Sequence, residues 1–255
     1  MNLESKTIAV VGACGRIGTV LVEALLEAGA NVVAIDRDEK ALLGLQSVHE
    51  SRRNIIYSAT DITDVESISR MLTSVSQHYG GLDAAVNTAY PRNANYGKKL
   101  FEVAYDDFCE NLSLHLGGYF LFMQQCAKYS QANDRPFSLV NMSSIYGVMA
   151  PRFDVYEGTP MTMPVEYAAI KSALQHVSSY VAAYMKGTQF RVNCVSPGGI
   201  LDGQNAKFLA DYKKHCNSKG MLDADDVVPI VLFLLSDASK YIVGQNVVVD
   251  DGFSL

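Results

Sequence analysis

Residues 7–18 read Thr7-Ile8-Ala9-Val10-Val11-Gly12-Ala13-Cys14-Gly15-Arg16-Ile17-Gly18, an apolar run that breaks into a glycine-rich turn and then opens an amphipathic stretch. Small and β-branched apolar residues in succession, without polar alternation, are the pattern of a strand buried on both faces. Glycines at 12, 15 and 18 let the turn tighten and let backbone N–H groups approach a phosphate with no Cβ in the way. The stretch reads as the first βα turn of a dinucleotide-binding unit, with Gly12, Cys14, Gly15, Arg16, Ile17 and Gly18 as cofactor-contacting positions. A chemically idle strand-to-helix turn would have the same local look, so the decision falls to the surrounding chain.

That chain alternates. Strand-like runs at Thr7–Val11, Asn31–Ile35, Asn54–Ser58, Leu82–Asn87, Phe137–Met142, Phe190–Val195 and Asn246–Val249 are separated by helix-like segments. The helices are expected over Ile17–Ala28, Val65–His78, Tyr105–Tyr129, Pro164–Met185 and Asp225–Leu235, with a short one after the second strand. Strand and helix in turn, with nearly unbroken apolar strands, predict an α/β fold: one doubly wound Rossmann-type domain over residues 1–255, its seven-stranded, mostly parallel sheet covered by helices on both faces. Two stretches break the rhythm, Tyr90–Leu100 and Val148–Met163. Both follow strands at the edge where open parallel sheets bind ligands, which makes them candidate walls of a substrate pocket.

Composition narrows the class. At 49% hydrophobic and 19% charged, the chain has a core to bury, and a net charge of −6 offers no basic face to nucleic acid or an anionic membrane. Five cysteines (Cys14, Cys109, Cys126, Cys194, Cys216) never fall in a C-x-x-C pair, so neither a disulfide framework nor a metal site is expected. The opening Met1-Asn2-Leu3-Glu4-Ser5-Lys6 does not read as a leader, and the apolar run Val227–Leu235 is too short to span a bilayer. A soluble, cytoplasmic protein is expected.

Asp36 closes the second strand, near the spacing of about twenty residues beyond a glycine turn at which a carboxylate accepts hydrogen bonds from adenosine ribose hydroxyls. A carboxylate there repels a 2′-phosphate and favours NAD. Arg16 and Arg37 keep NADP open, since either guanidinium could pair with that phosphate, and Asp36 could also simply cap the following turn. Farther along, Tyr167 and Lys171 stand four apart on an expected helix, hence on one face. An ammonium beside a phenol stabilises tyrosinate and is expected to bring Tyr167 toward neutrality as an acid/base group. Ser144, just past the fifth strand, can hydrogen-bond the reacting oxygen.

On these residues the chain resembles the short-chain dehydrogenase/reductase family over essentially its whole length. The resemblance rests on Ser144, on Tyr167-Ala168-Ala169-Ile170-Lys171, and on the turn Pro197-Gly198-Gly199-Ile200. It also rests on Asn87-Thr88-Ala89-Tyr90 and on the closing Val249-Asp250-Asp251-Gly252. It implies NAD(P)-dependent hydride transfer with Tyr167 as proton carrier and Lys171 on the nicotinamide ribose. It implies cofactor contacts from Asp61 and Ile62 at the adenine, Asn87 and Ala89 at the fourth strand, and Pro197, Gly198 and Ile200 at the nicotinamide. Three positions depart from the family: Arg16 stands where a second glycine is usual, Tyr90 replaces a glycine, and His115 falls where a relay asparagine often sits. Imidazole can relay protons, or His115 can be a packed helical residue; an alternative register gives the relay to Asn111.

The stretch between Ser144 and Tyr167 is longer than the family usually carries, so residues 148–163 read as an inserted substrate-side loop. Its Arg152, Tyr156, Glu157 and Thr159, with Arg92 and Asn93, could meet a polar or anionic substrate, or form an ordinary solvated loop. The wording of Tyr90-Pro91-Arg92-Asn93, His115-Leu116-Gly117-Gly118-Tyr119-Phe120 and Met161-Thr162-Met163-Pro164-Val165-Glu166-Tyr167 is similar to dehydrogenases of bacterial surface-glycan and flagellin-modification pathways. That likeness implies a sugar or amino-sugar (nonulosonic-acid precursor) substrate. Two other readings stand beside it: an NAD-retaining sugar epimerase or dehydratase, and a non-catalytic cofactor-binding regulator. The family usually assembles as homodimers or homotetramers, which the apolar end Phe253-Ser254-Leu255 could join.

Overall fold

The seven apolar runs form β1 (Thr7–Val11), β2 (Asn31–Asp36), β3 (Ile55–Ala59), β4 (Ala84–Asn87), β5 (Phe137–Met142), β6 (Phe190–Pro197) and β7 (Asn246–Val249). In the computed structural model, which describes residues 3–255, they make one sheet in the order β3-β2-β1-β4-β5-β6-β7. Every pairing is parallel, so the sheet is wholly rather than mostly parallel. Side chains alternate between two cores, as the two-residue period of a strand requires. Ile8 and Val10 join Leu21, Leu25, Val231 and Leu234 on one face, while Ala9 and Val11 join Ile68, Met71, Phe122 and Leu174 on the other.

The helices are α1 (Arg16–Glu27), α2 (Glu39–Val48), α3 (Val65–Tyr79), α4 (Tyr105–Asn111), α5 (Gly118–Ala132), α6 (Val165–Tyr184), α7 (Ala206–Lys213) and α8 (Val228–Leu235). Three differ from the sequence expectation. The helix expected over Tyr105–Tyr129 is interrupted by a π-helical stretch, Leu112–Gly117, which widens the turn that carries His115. The helix expected from Asp225 starts as a 3-10 turn, Ala224–Val227, before α8. Helix α7 has no counterpart in the sequence rhythm; Asn205 caps it by accepting the Phe208 N–H at 2.9 Å, and Phe208 and Tyr212 are buried one turn apart. No helix among the described residues is long and apolar enough to cross a membrane.

Two features position the site. The chain winds from β1 outward to β3 and returns to β4 beside β1, so a crevice opens at the carboxyl ends of β1 and β4, where such sheets bind ligands. Over the carboxyl ends of β5 and β6 sits a third apolar cluster of Ile145, Tyr146, Val155, Tyr156, Phe208, Tyr212, Met221 and Phe253, built from segments far apart in sequence. It forms a roof against which that crevice becomes a cleft.

Candidate active site

The glycine turn is set by backbone packing. Gly12 has φ +76°, and a Cβ on it would lie 2.9 Å from both Ala89 N and Thr88 Oγ1 at the end of β4. A Cβ on Gly18 would fall 2.0 Å from the Gly12 carbonyl oxygen, and one on Gly15 3.2 Å from the same atom. The tight positions are therefore 12, 15 and 18. Arg16 is the first residue of α1 and lies outside the crowded turn, so its side chain does not obstruct it. Gly15, Arg16 and Ile17 line the cleft, and no side chain caps the α1 N-terminus, which leaves its first-turn amides for an anion.

Asp36 caps the turns on either side of it and stays at the sheet edge where a ribose would lie. Its carboxylate accepts the Cys14 and Asp38 N–H groups, each at 3.2 Å, and it stands at the carboxyl end of β2. Burial and the Asp36 carboxylate raise the Cys14 thiol to about 11, which keeps it protonated and unreactive. Arg37 is exposed, whereas Arg16 pairs with Asp202. Asp61 is exposed, its Oδ1 accepting the Thr63 N–H at 2.8 Å and hydroxyl at 2.7 Å, and Ile62 is buried beside Gly118 of α5. Asn87 is fully buried; its Oδ1 accepts the Ala89 N–H at 3.1 Å and its Nδ2 has no partner among the described residues. An uncapped helix N-terminus, a carboxylate on β2 and an unsatisfied buried amide at β4 fit an adenine dinucleotide laid across the crevice.

The catalytic candidates meet at the inner end of the same cleft, about 630 Å³ in volume and lined by Ser144, Tyr167, Lys171, Pro197, Gly198 and Ile200 among others. Lys171 Nζ donates to the Met142 carbonyl at 2.8 Å, lies 3.3 Å from His115 Nε2, and stands 5.5 Å from the Tyr167 ring centre. The Ser144 turn is pressed onto α6: a Cβ on Gly147 would lie 2.6 Å from the Lys171 carbonyl carbon. Ser143 donates to the Lys171 carbonyl at 3.0 Å, and Gln175 Nε2 donates to Ser143 Oγ at 3.0 Å and Ser196 Oγ at 3.2 Å. Gln175, one turn beyond Lys171, thus joins β5, β6 and α6; its place in the helical register is the sequence signal for it. Tyr119, fully buried with its hydroxyl donating to the Asn87 and Ala89 carbonyls at 3.0 and 2.9 Å, is another residue the sequence reading passes over.

The electrostatics reverse one expectation. Burial raises the Tyr167 phenol above its ordinary value, with Tyr90 and Tyr146 adding to the rise and the Ser144 hydroxyl offsetting part of it. The same burial brings Lys171 down to about 7, so Lys171 holds much less of the charge that would draw Tyr167 toward neutrality. Desolvation outweighs the Tyr–Lys attraction. His115, fully buried, is pushed well below its ordinary value, chiefly by burial and then by Lys171 and Arg92, and is neutral around pH 7. A neutral ring accepts from the Lys171 ammonium at Nε2, or donates from Nε2 to the amine once Lys171 has lost its proton; Nδ1 has no partner among the described residues. Asn111, the alternative relay candidate, is instead engaged with Asn93: its Oδ1 accepts the Asn93 N–H at 2.9 Å and its Nδ2 donates to Asn93 Oδ1 at 3.2 Å.

The substrate-side candidates separate. Arg92 lines the cleft with its guanidinium 4.7 Å from the Tyr90 ring centre, and Tyr90 lies edge-on to both His115 and Tyr167. Tyr156 also lines it, its hydroxyl 3.1 Å from that of Tyr146. Arg152 does not: it donates to the Leu255 carbonyl at 2.9 Å and lies over Phe253, tying the 148–163 loop to the chain end. Asn93 is held by Asp107 and Glu110, and Glu157 is exposed outside the cleft. Met161, Met163, Met221 and Phe208 complete a wall more apolar than the polar loop composition suggests.

A glycine-turn crevice leading to a Ser–Tyr–Lys set defines a Rossmann-type oxidoreductase. Residues 12–254 match a family model described as enoyl-(acyl carrier protein) reductase. The chain is 40% identical over 256 residues to post-translational flagellin modification protein A of Campylobacter coli, covering 99% of this chain and 100% of that one. It is 28% identical to the 3-oxoacyl-[acyl-carrier-protein] reductase FabG of Thermotoga maritima, over 99% of each. A short-chain dehydrogenase from Leptospira borgpetersenii, solved with bound NAD+, superposes with a TM-score of 0.88 at 28% identity, covering 100% of this chain and 94% of that one. The chain belongs to the short-chain dehydrogenase/reductase family.

Proposed function

We propose that this protein moves a hydride between NAD and an alcohol or carbonyl carbon of a small sugar-derived molecule, with Tyr167 carrying the proton. The observation that carries the reading is the convergence of Ser144, Tyr167 and Lys171 at the inner end of the cleft that begins at the glycine turn. When bound, the nicotinamide supplies or accepts the hydride. Ser144 then donates a hydrogen bond to the substrate oxygen and Tyr167 gives it a proton, or takes one in the reverse direction. Tyr167 is protonated at neutral pH, with burial raising its phenol further, which suits it to donate to a carbonyl oxygen. Lys171 orients Tyr167 and the ribose, and His115 fixes Lys171 through Nε2.

The Asp36 carboxylate at the carboxyl end of β2, where it would meet the adenosine ribose hydroxyls and repel a 2′-phosphate, supports NAD over NADP. Arg92 supports an anionic or strongly polar substituent on the substrate: it lines the cleft and pairs with no carboxylate among the described residues. The flagellin-modification relative supports a carbohydrate origin for that substrate. Tyr180 and Tyr184 on the outer face of α6, 65% and 80% exposed, favour a homo-oligomer through that helix, which sedimentation at micromolar concentration would check. The central test is Tyr167→Phe: NADH binding should persist while turnover on reducible sugars falls at least about a hundredfold. Turnover at the wild-type rate would refute the mechanism.

A further inference from the structure

The wall of the cleft opposite the glycine turn carries a negative charge. Asp202, beyond the Pro197–Ile200 turn, lines the same cleft as Arg16, and the two side chains form an ion pair between Arg16 Nη2 and Asp202 Oδ1. The pair joins the first residue of α1 to the segment after β6, and so crosses the cleft between its two walls. On its outer side lies a shallow depression lined by Thr19, Val20, Leu201, Gly203, Asp223 and Asp225. Asp223 is itself paired with Lys219 at 2.7 Å.

The α1 N-terminus is where a dinucleotide's diphosphate rests, so Asp202 faces the most negative part of the cofactor. Two features let the pair open. Its side chains are 53% and 64% exposed, and exposed ion pairs are weak. Gln204 holds the Asp202 backbone, accepting its N–H at 2.7 Å, so it is the Asp202 side chain that swings free of Arg16, beside Gly203, which has nothing within 4 Å of its Cβ position. A guanidinium binds phosphate oxygens through paired, charge-assisted hydrogen bonds and has a stronger partner there than a solvated carboxylate.

We propose that the Arg16–Asp202 pair is a latch across the cofactor cleft. When the dinucleotide binds, Arg16 exchanges the Asp202 carboxylate for the diphosphate, and Asp202 acts as the competing anion that sets how tightly the cofactor is held. This rests on the dinucleotide-binding reading of the cleft. It gives Arg16, at a position the family usually fills with glycine, a balanced role: the added cation offsets an anion on the facing wall.

The test measures dissociation constants for NADH by fluorescence, and for ADP-ribose and adenosine by calorimetry, at low and high salt. Arg16→Ala should weaken NADH and ADP-ribose by about tenfold, the loss of one charge-assisted contact, and Arg16→Lys by less. Asp202→Asn should tighten both by about two- to fivefold at low salt, with the gain shrinking as salt rises. Adenosine, which lacks the diphosphate, should bind all variants alike. Asp202→Asn that binds ADP-ribose no better than wild type, or Arg16→Ala that binds it as well, overturns the latch alone. Wild-type protein that binds neither NADH nor ADP-ribose overturns the dinucleotide reading and the latch with it.

Discussion

The two halves of the cleft are built in different ways. The glycine-turn half is fixed at the level of backbone: Gly12, Gly15 and Gly18 are packed against carbonyls and amides, and the strands beneath them are buried on both faces. The roof half is fixed by side chains brought from distant segments. Phe253 is fully buried and stacked on Tyr212 with ring centres 4.1 Å apart, and the Tyr212 hydroxyl accepts the Gly199 N–H at 2.7 Å. Backbone contacts leave little room for adjustment, whereas side-chain contacts can be retuned. The half that must hold an invariant cofactor is rigid by construction, and the half that must choose a substrate is made of parts that can change.

The strongest way to break this contrast is Gly18→Val. Its Cβ would fall 2.0 Å from the Gly12 carbonyl oxygen, backbone against side chain, with no flexible atom to yield. The expected cost exceeds about 5 kcal/mol, enough to consume the stability of an ordinary domain, so thermal denaturation should find little folded protein. A well-folded Gly18→Val variant with a wild-type midpoint would mean that the turn is not held as tightly as its contacts imply.

Phe253→Ala should be graded where Gly18→Val is abrupt. Removing a fully buried aromatic costs about 3–5 kcal/mol, and here the cavity opens beneath Tyr146, Tyr212 and Arg152 rather than beneath the glycine turn. The protein should still fold. Substrate KM should rise by more than the NADH dissociation constant, and Phe253→Leu should restore most of the difference. Equal losses in both would show that the halves are not mechanically separate.

What was legible in the sequence follows the same line. The strands lie within two residues of their expected ends because period and apolar runs are local properties. Ser144, Tyr167 and Lys171 were legible because their spacing and the strand before them fix their place. Helix α7, the roof and the orientation of Arg152 were not, since each depends on partners far along the chain: Phe208 and Tyr212 on Tyr156 and Phe253, Arg152 on Leu255. The direction of the Tyr167 shift was hidden for a related reason. Four-residue spacing shows that Lys171 is near, but the balance between its charge and desolvation depends on how completely the surrounding elements close over both groups.

Lys171 sits on the seam between the halves, bonded to the β5 carbonyl of Met142 and facing His115 on the π-helical stretch, and it gives the contrast its gentlest test. Burial lowers its folded-state value to about 7 from the ordinary 10.5, so the folded protein releases this proton more readily than the unfolded chain does. The resulting cost is fully present below about pH 7 and fades as pH rises toward the ordinary lysine range. Over that window Lys171 adds to stability by up to about 1.4 kcal/mol per pH unit, and Lys171→Met should remove the increment from a denaturation series run between those limits. His115→Ala, by admitting water beside the amine, should flatten it in part, while His115→Asn, which keeps an acceptor and most of the bulk, should not. A slope unchanged in Lys171→Met would place the titration elsewhere and leave Lys171 charged at neutrality, returning to it the attraction on Tyr167 that burial otherwise weakens.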